Sequence, residues 1–184
     1  MALLVTPEPV MGIRAHPFRL PDIDRRMTTL EDVRGERGTL LMFICNHCPY
    51  VQAIRPRLVA DCRELKAEGI GVVAINPNDP HQQPEDSPDR MRQVAQEFDF
   101  PFPYLFDGTQ ETARAYGAVC TPDFFGYDSK LQLQYRGRLD PRHRDARQQG
   151  DRRELVEAMR EIAATGLGPI AQHPSMGCSI KWTR

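Results

Sequence analysis

Apolar residues along the chain change period in a way that sets out its elements. Residues 39–44 (Thr-Leu-Leu-Met-Phe-Ile) form a near-continuous apolar run, which suits a strand buried on both faces. A helical period follows from about Pro49 to Ala67: Val51, Ile54, Leu58, Cys62 and Leu65 lie along one face. Pro49 is tolerated in the first turn, Pro56 is expected to kink the helix, and Gly69 closes it. Ile70 to Ile75 then predicts a second buried strand, so strand, crossover helix and strand make a βαβ unit with a parallel pair.

Further elements follow the same logic. Residues 1–20 read as an extended lead-in that can pair as an edge strand, and 28–33 as a short helical turn ended by Gly35. After a loop rich in Pro, Asn and Asp, Ser87 and Pro88 open a helix with Met91, Val94, Ala95 and Phe98 on its apolar side. Tyr104–Phe106 predicts a short strand, and Thr109 the cap of a short helix ended by Gly117. Asp123–Tyr127 and Leu131–Tyr135 predict a hairpin turning at Asp128-Ser129-Lys130. Asp151, with Glu154 at the capping-box position, predicts the start of a last helix. The order implies a layered α/β domain with a mixed central sheet over 21–165, an N-terminal extension over 1–20, and a C-terminal tail over 166–184 that packs on the domain.

Composition narrows the function. With 184 residues, 40% hydrophobic content and a formal net charge of −1, the chain reads as one soluble domain with no bias toward a polyanionic partner. Its 24 basic residues are nearly all arginine and are spread along the chain, whereas a nucleic-acid surface needs them gathered. No run of about 20 apolar residues predicts a membrane span. The start of the chain lacks the basic lead and long apolar run of a signal peptide, so the expected compartment is the cytoplasm. Thiols are kept reduced there, and five cysteines (45, 48, 62, 120 and 178) are too few for a disulfide scaffold.

The candidate chemistry is Cys45-Asn46-His47-Cys48-Pro49-Tyr50, placed where the first strand delivers the chain to a helix. Positions three apart meet on one turn. A helix N-terminus favours thiolate over thiol, so the pair reads as a dithiol–disulfide switch. Cys45, next to the strand, is the expected exposed nucleophile of low pKa. Cys48, one turn in, is the expected resolving thiol, and His47 is placed to favour the thiolate. Buried, inert thiols and a zinc site are the rivals. Zinc wants four ligands, and the remaining cysteines and histidines show no paired spacing. The base that activates Cys48 is not identified by the sequence, with Asp79 and His47 as candidates. The acidic loop 79–89 reads mainly as solvated surface, and Cys62 as core.

Over Asp22 to Ala164 the chain resembles the thioredoxin superfamily, on Cys45-Asn-His-Cys48-Pro49 and on Thr121-Pro122 ahead of the hairpin. It is closer still to a bacterial redoxin group related to alkyl-hydroperoxide reductase and thiol-specific antioxidant. That similarity also rests on Asn78-Asp-Pro80, Asp107-Gly-Thr-Gln110, Tyr116–Asp123 and Gly177-Cys-Ser-Ile-Lys-Trp182. The resemblance implies a thioredoxin-like fold and a cis-proline at Pro122, with Thr121 beside it orienting substrate. It implies no dissociable cofactor, and it implies disulfide or thiol substrates with a thiol electron donor. Asn46 and Cys120 join Thr121 and Pro122 as candidate substrate-side residues, with Cys120 either a third redox thiol or, more simply, a small buried residue. Cys178 is an accessory thiol or part of a docked tail, and the sequence leaves both open. Two departures bear on the chemistry. Asn-His replaces the Gly-Pro of thioredoxin, and the residues before Cys45 lack the proline and threonine of a peroxidatic pocket. A peroxiredoxin-like peroxidase and a cysteine-based metal-binding module remain as alternatives.

Overall fold

A computed structural model of the chain describes residues 3–183. The first two residues of the lead-in and the last residue of the tail therefore lie outside the described residues. In chain order the elements are β1 (Leu3–Val5), β2 (Arg19–Pro21), β3 (Met27–Thr29), α1 (Leu30–Val33), β4 (Thr39–Phe43) and α2 (Pro49–Ala67). Next come β5 (Gly71–Asn76), a 3-10 turn (Pro84–Asp86), α3 (Pro88–Glu97), β6 (Tyr104–Phe106) and α4 (Glu111–Ala115). The chain ends with β7 (Cys120–Thr121), β8 (Asp123–Tyr127), β9 (Leu133–Gly137), α5 (Glu154–Thr165) and β10 (Met176–Ser179).

Among these residues a five-stranded mixed sheet runs β6-β5-β4-β8-β9. β5 is parallel to both β4 and β6, while β8 is antiparallel to β4 and β9. This is a thioredoxin-like α/β fold with helices flanking the sheet. The continuous apolar run of β4 follows from its central place: Leu40 and Met42 face one core with α2 and α5, and Leu41 and Phe43 face the other. Gly126 of β8 lets α5 lie close, since a Cβ there would stand 2.7 Å from Met159 Sδ. The second core is closed by Phe18, Leu20, Leu30 and Val33 from the N-terminal part and by Ile180 from the tail.

Three local expectations shift. The last helix starts at Glu154 without a side-chain cap, because Asp151 instead accepts from the Gln148 N–H and pairs with Arg142. The short helix α4 has Gln110 rather than Thr109 at its N-cap. β9 begins at Leu133, because Leu131 takes φ 61° as the turn closes on the Asp128 side chain, which accepts from the Lys130 and Gln132 N–H groups. The charged stretch after β9 is tied down by arginine–carboxylate pairs to α2 and its own loop: Arg57–Asp140 at 2.8 Å, Arg147–Asp61 at 2.8 Å and Arg153–Asp61 at 2.6 Å. No helix among the described residues is long and apolar enough to cross a membrane.

Candidate active site

β4 ends at Phe43, and Ile44 still donates its N–H to the Ile75 carbonyl at 3.1 Å. The next three residues leave the sheet, and Cys48 becomes the N-cap of α2 with Pro49 in the first turn. The opposite wall is the Thr121–Pro122 peptide, which is cis, between β7 and β8. The two motifs meet there. Cys45 Sγ and Thr121 Oγ1 are 3.0 Å apart, and Cys48 Sγ lies 3.2 Å from the Thr121 carbonyl oxygen.

Two features of the pair differ from expectation. Neither sulfur is exposed: Cys45 is 1% and Cys48 0% accessible. The charge also settles on Cys48, not Cys45. Burial pushes the Cys45 thiol well up, and its bond to Cys48 and the nearby Asp86 charge push the same way. Cys48 is pulled down to about 5, chiefly by the hydrogen bond from Cys45. Burial opposes that fall, while Cys178 and the Val51 amide support it. Position adds a smaller contribution: Cys48 sits on the helix cap, near the Val51 amide, and Cys45 lies three residues upstream.

Asp86 organises the turn between the two cysteines. It is completely buried. Its Oδ1 accepts from the N–H groups of Asn46 (2.6 Å) and His47 (3.3 Å), and its Oδ2 accepts from Asn78 Nδ2 (2.8 Å) and meets His47 Nδ1 at 2.5 Å. Burial pushes the carboxyl up, but the bonds from His47, Asn46 and Asn78 outweigh it and hold Asp86 below its ordinary value. His47 Nε2 is buried and has no partner among the described residues. The acidic loop, expected as solvated surface, thus carries one fully buried member. Asp79, the other expected base, accepts instead from the His81 N–H and Gln82 Nε2, on the loop that meets the C-terminal tail.

Asn46 does not face an open groove. Its Nδ2 donates to the Glu85 carbonyl at 2.8 Å, and its Oδ1 accepts from Tyr104 Oη at 3.1 Å. Its carbonyl accepts from Gln52 Nε2 (2.9 Å) and from the buried Arg55 Nη2 (3.2 Å). With both ends of the amide engaged, Asn46 fixes the loop instead of offering polar groups to a substrate. Cys120 is buried, and its Sγ reaches the Pro122 carbonyl at 3.9 Å, so it sits behind the cis peptide as a small buried residue. The third sulfur at the pair is that of Cys178, 2.9 Å from Cys48 Sγ.

Among the described residues, Cys45, His47 and Asp86 bring donor atoms within 4.8 Å of one another, a spacing that suits a cation. Both Asp86 oxygens already hold protein donors, so the set reads more simply as a hydrogen-bonded relay.

The family model described as AhpC/TSA family matches residues 11–136. An uncharacterized conserved protein from Geobacillus kaustophilus is 42% identical, with TM-score 0.93 over 100% of this chain and 97% of its own. A hypothetical protein from Sinorhizobium meliloti 1021 is 37% identical, with TM-score 0.89 over 97% and 98%. A thiol:disulfide interchange protein of the thioredoxin family from Chlorobium tepidum TLS shares the fold at 16% identity, with TM-score 0.57 over 70% and 87%. Comparison with curated proteins gives no match.

Proposed function

The chain belongs to the AhpC/TSA family and has a thioredoxin-like fold, and on that premise we propose that it is a thiol–disulfide oxidoreductase with Cys45 and Cys48 as its working pair. One observation carries the reading. The two cysteines meet the Thr121–Pro122 peptide at a helix cap, and the bonds from Cys45, Cys178 and the Val51 amide favour a thiolate on Cys48. A reactive dithiol needs this combination of a stabilised thiolate and a second sulfur in reach.

The residues divide the work as follows. His47, held through Nδ1 by Asp86, keeps Nε2 for proton exchange, and it takes the proton of Cys45. The Cys45 thiolate attacks a substrate disulfide, forming a mixed disulfide and releasing one substrate thiolate. Cys48 then attacks Cys45 Sγ as a thiolate, closes the Cys45–Cys48 disulfide and releases the second substrate thiolate. Two electrons pass to the substrate, and a thiol donor returns them. Once Cys45 has given up its proton, the Cys178 thiol and the Val51 N–H remain as donors to Cys48, against the opposing effect of burial. Thr121 lines the pair with both its hydroxyl and its carbonyl, and Asn46 acts by fixing the turn. Protein or small-molecule disulfides are the substrate class. A peroxidatic reading has less support, since the residues ahead of Cys45 are the buried apolar Leu41, Met42, Phe43 and Ile44.

The test is reversible oxidation of the pair in thiol–disulfide buffers. The tryptic peptide 38–57 carries both cysteines and should gain and lose an internal disulfide with buffer poise. Cys45→Ser or Cys48→Ser should abolish that internal loop.

A further inference from the structure

Of the cysteines outside the pair, Cys62 packs on α2 with its Sγ 3.9 Å from Met42 Sδ, and Cys120 lies behind the cis peptide. Cys178 is placed differently. It lies on β10, which runs between β1 and β7 with Cys178 opposite Thr121 in the register. Its Sγ is 2.9 Å from Cys48 Sγ, so a closure of about 0.9 Å would reach the ~2.05 Å of a disulfide bond.

The local sequence permits this approach. A Cβ on Gly177 would stand 1.9 Å from the Thr121 carbonyl oxygen and 3.0 Å from Pro122 Cδ, so a side chain there would push the strand away. The tail is also fastened on both sides of Cys178. Ser175 Oγ donates to the Pro122 carbonyl at 2.7 Å, and the Ile180 N–H to the Val119 carbonyl at 3.1 Å. The Lys181 N–H donates to Asn78 Oδ1 at 2.9 Å, while the Lys181 carbonyl accepts from the Asp79 N–H and from Gln110 Nε2. Arg114 stacks over Trp182 at 4.2 Å. Asn78 and Asp79 on one loop and Gln110 on another converge on this one segment.

We propose that Cys178 is a third redox-active thiol, which takes Cys48 from Cys45 once the pair is oxidised. The step rests on the dithiol reading above. The Cys178 sulfur attacks Cys48 Sγ of the Cys45–Cys48 disulfide, and a Cys48–Cys178 bond forms as the bond to Cys45 breaks. The electron pair leaves on Cys45, which takes up the proton that Cys178 gives. One disulfide becomes another, and the protein's electron count is unchanged. Once the pair is oxidised the exchange needs no external oxidant. Oxidation then ties β10 covalently across the site, and reduction by a thiol donor frees it. The same strand covers Cys48 through Cys178, so a partner reaches Cys48 when β10 lifts.

The experiment uses the full chain. One equivalent of diamide withdraws two electrons, remaining thiols are alkylated under acid quench, and tryptic peptides are mapped. Peptide 38–57 carries Cys45 and Cys48, and peptide 161–181 carries Cys178. Wild type should yield the two peptides joined. Cys45→Ser should also yield the joined species, and Cys178→Ser should yield only the internal loop in 38–57. Gly177→Ala should cut the joined fraction several-fold with Cys178 still present. An internal loop with no joined peptide in wild type would overturn the role of Cys178 and leave the Cys45–Cys48 couple standing. Joined peptides in Cys45→Ser with no internal loop in Cys178→Ser would overturn the couple, and the exchange step with it.

Discussion

Asp86→Asn is the substitution that bears most sharply on how the turn is held. The change keeps the shape of the side chain but removes its charge and turns one acceptor into a donor. If the amide oxygen takes the Oδ1 place, it still accepts from the N–H groups of Asn46 and His47. The new NH₂ group then faces Asn78 Nδ2, donor against donor, in the place where Oδ2 accepted at 2.8 Å. A buried donor left without an acceptor costs roughly 1–3 kcal/mol, and each bond to the former carboxylate loses about 1 kcal/mol of charge assistance. The expected loss is about 3 kcal/mol, or a drop of about 6–12 °C in Tm for a chain of this size.

The pH dependence sharpens the prediction. The folded state holds the Asp86 carboxyl below its ordinary value. Its contribution is therefore full above the unfolded value of about 3.9 and vanishes as pH falls through the lower folded value. The gap between wild type and Asp86→Asn should be constant from pH 7 to pH 5 and should narrow below pH 4. Urea denaturation followed by circular dichroism at each pH measures it. A loss under about 1 kcal/mol at pH 7, or a gap that widens in acid, would refute the reasoning.

Two further outcomes follow from the same cluster. Thiolate absorbance in the ultraviolet should rise with a midpoint near pH 5 from Cys48, and Cys178→Ala should move that midpoint upward by removing donors; a first rise only near pH ~8.5 would contradict the charge placement. Gly177→Ala should raise the alkylation rate of Cys48 in the native protein by displacing β10 from Thr121, and an unchanged rate would show that the strand does not control access.

Much of the frame could be read from periodicity alone. The helix predicted over Pro49–Ala67 has those bounds, and the strand runs on either side of it are β4 and β5. These segments are long and strongly patterned, and their burial follows from local sequence. The cis peptide came from a resemblance and not from any pattern. Asp86 was illegible for a physical reason. Its neighbours Glu85 and Asp89 are exposed, so composition marks the whole loop as solvated, and only the tertiary path of the loop carries one carboxyl into the turn. Cys178 was undecided because a short glycine-flanked strand has no periodic signature of its own, and its register is set by partners 57 residues and more away. The order of pKa values in the pair follows from the burial of Cys45 and the direction of its bond to Cys48, and spacing along the chain carries neither.

The central claim is that Cys45 and Cys48 exchange two electrons with their surroundings by making and breaking one bond. Its most direct measurement is the equilibrium of the full chain across a series of reduced and oxidised glutathione ratios, with peptide 38–57 weighed at each. The account expects a sigmoidal, fully reversible loss of two hydrogens with two-electron slope, tenfold in equilibrium constant for each ~30 mV of poise, shared between the internal loop and the link to 161–181. If 38–57 stays fully reduced at every ratio, or its oxidation cannot be reversed, the pair is not a redox couple and the account fails.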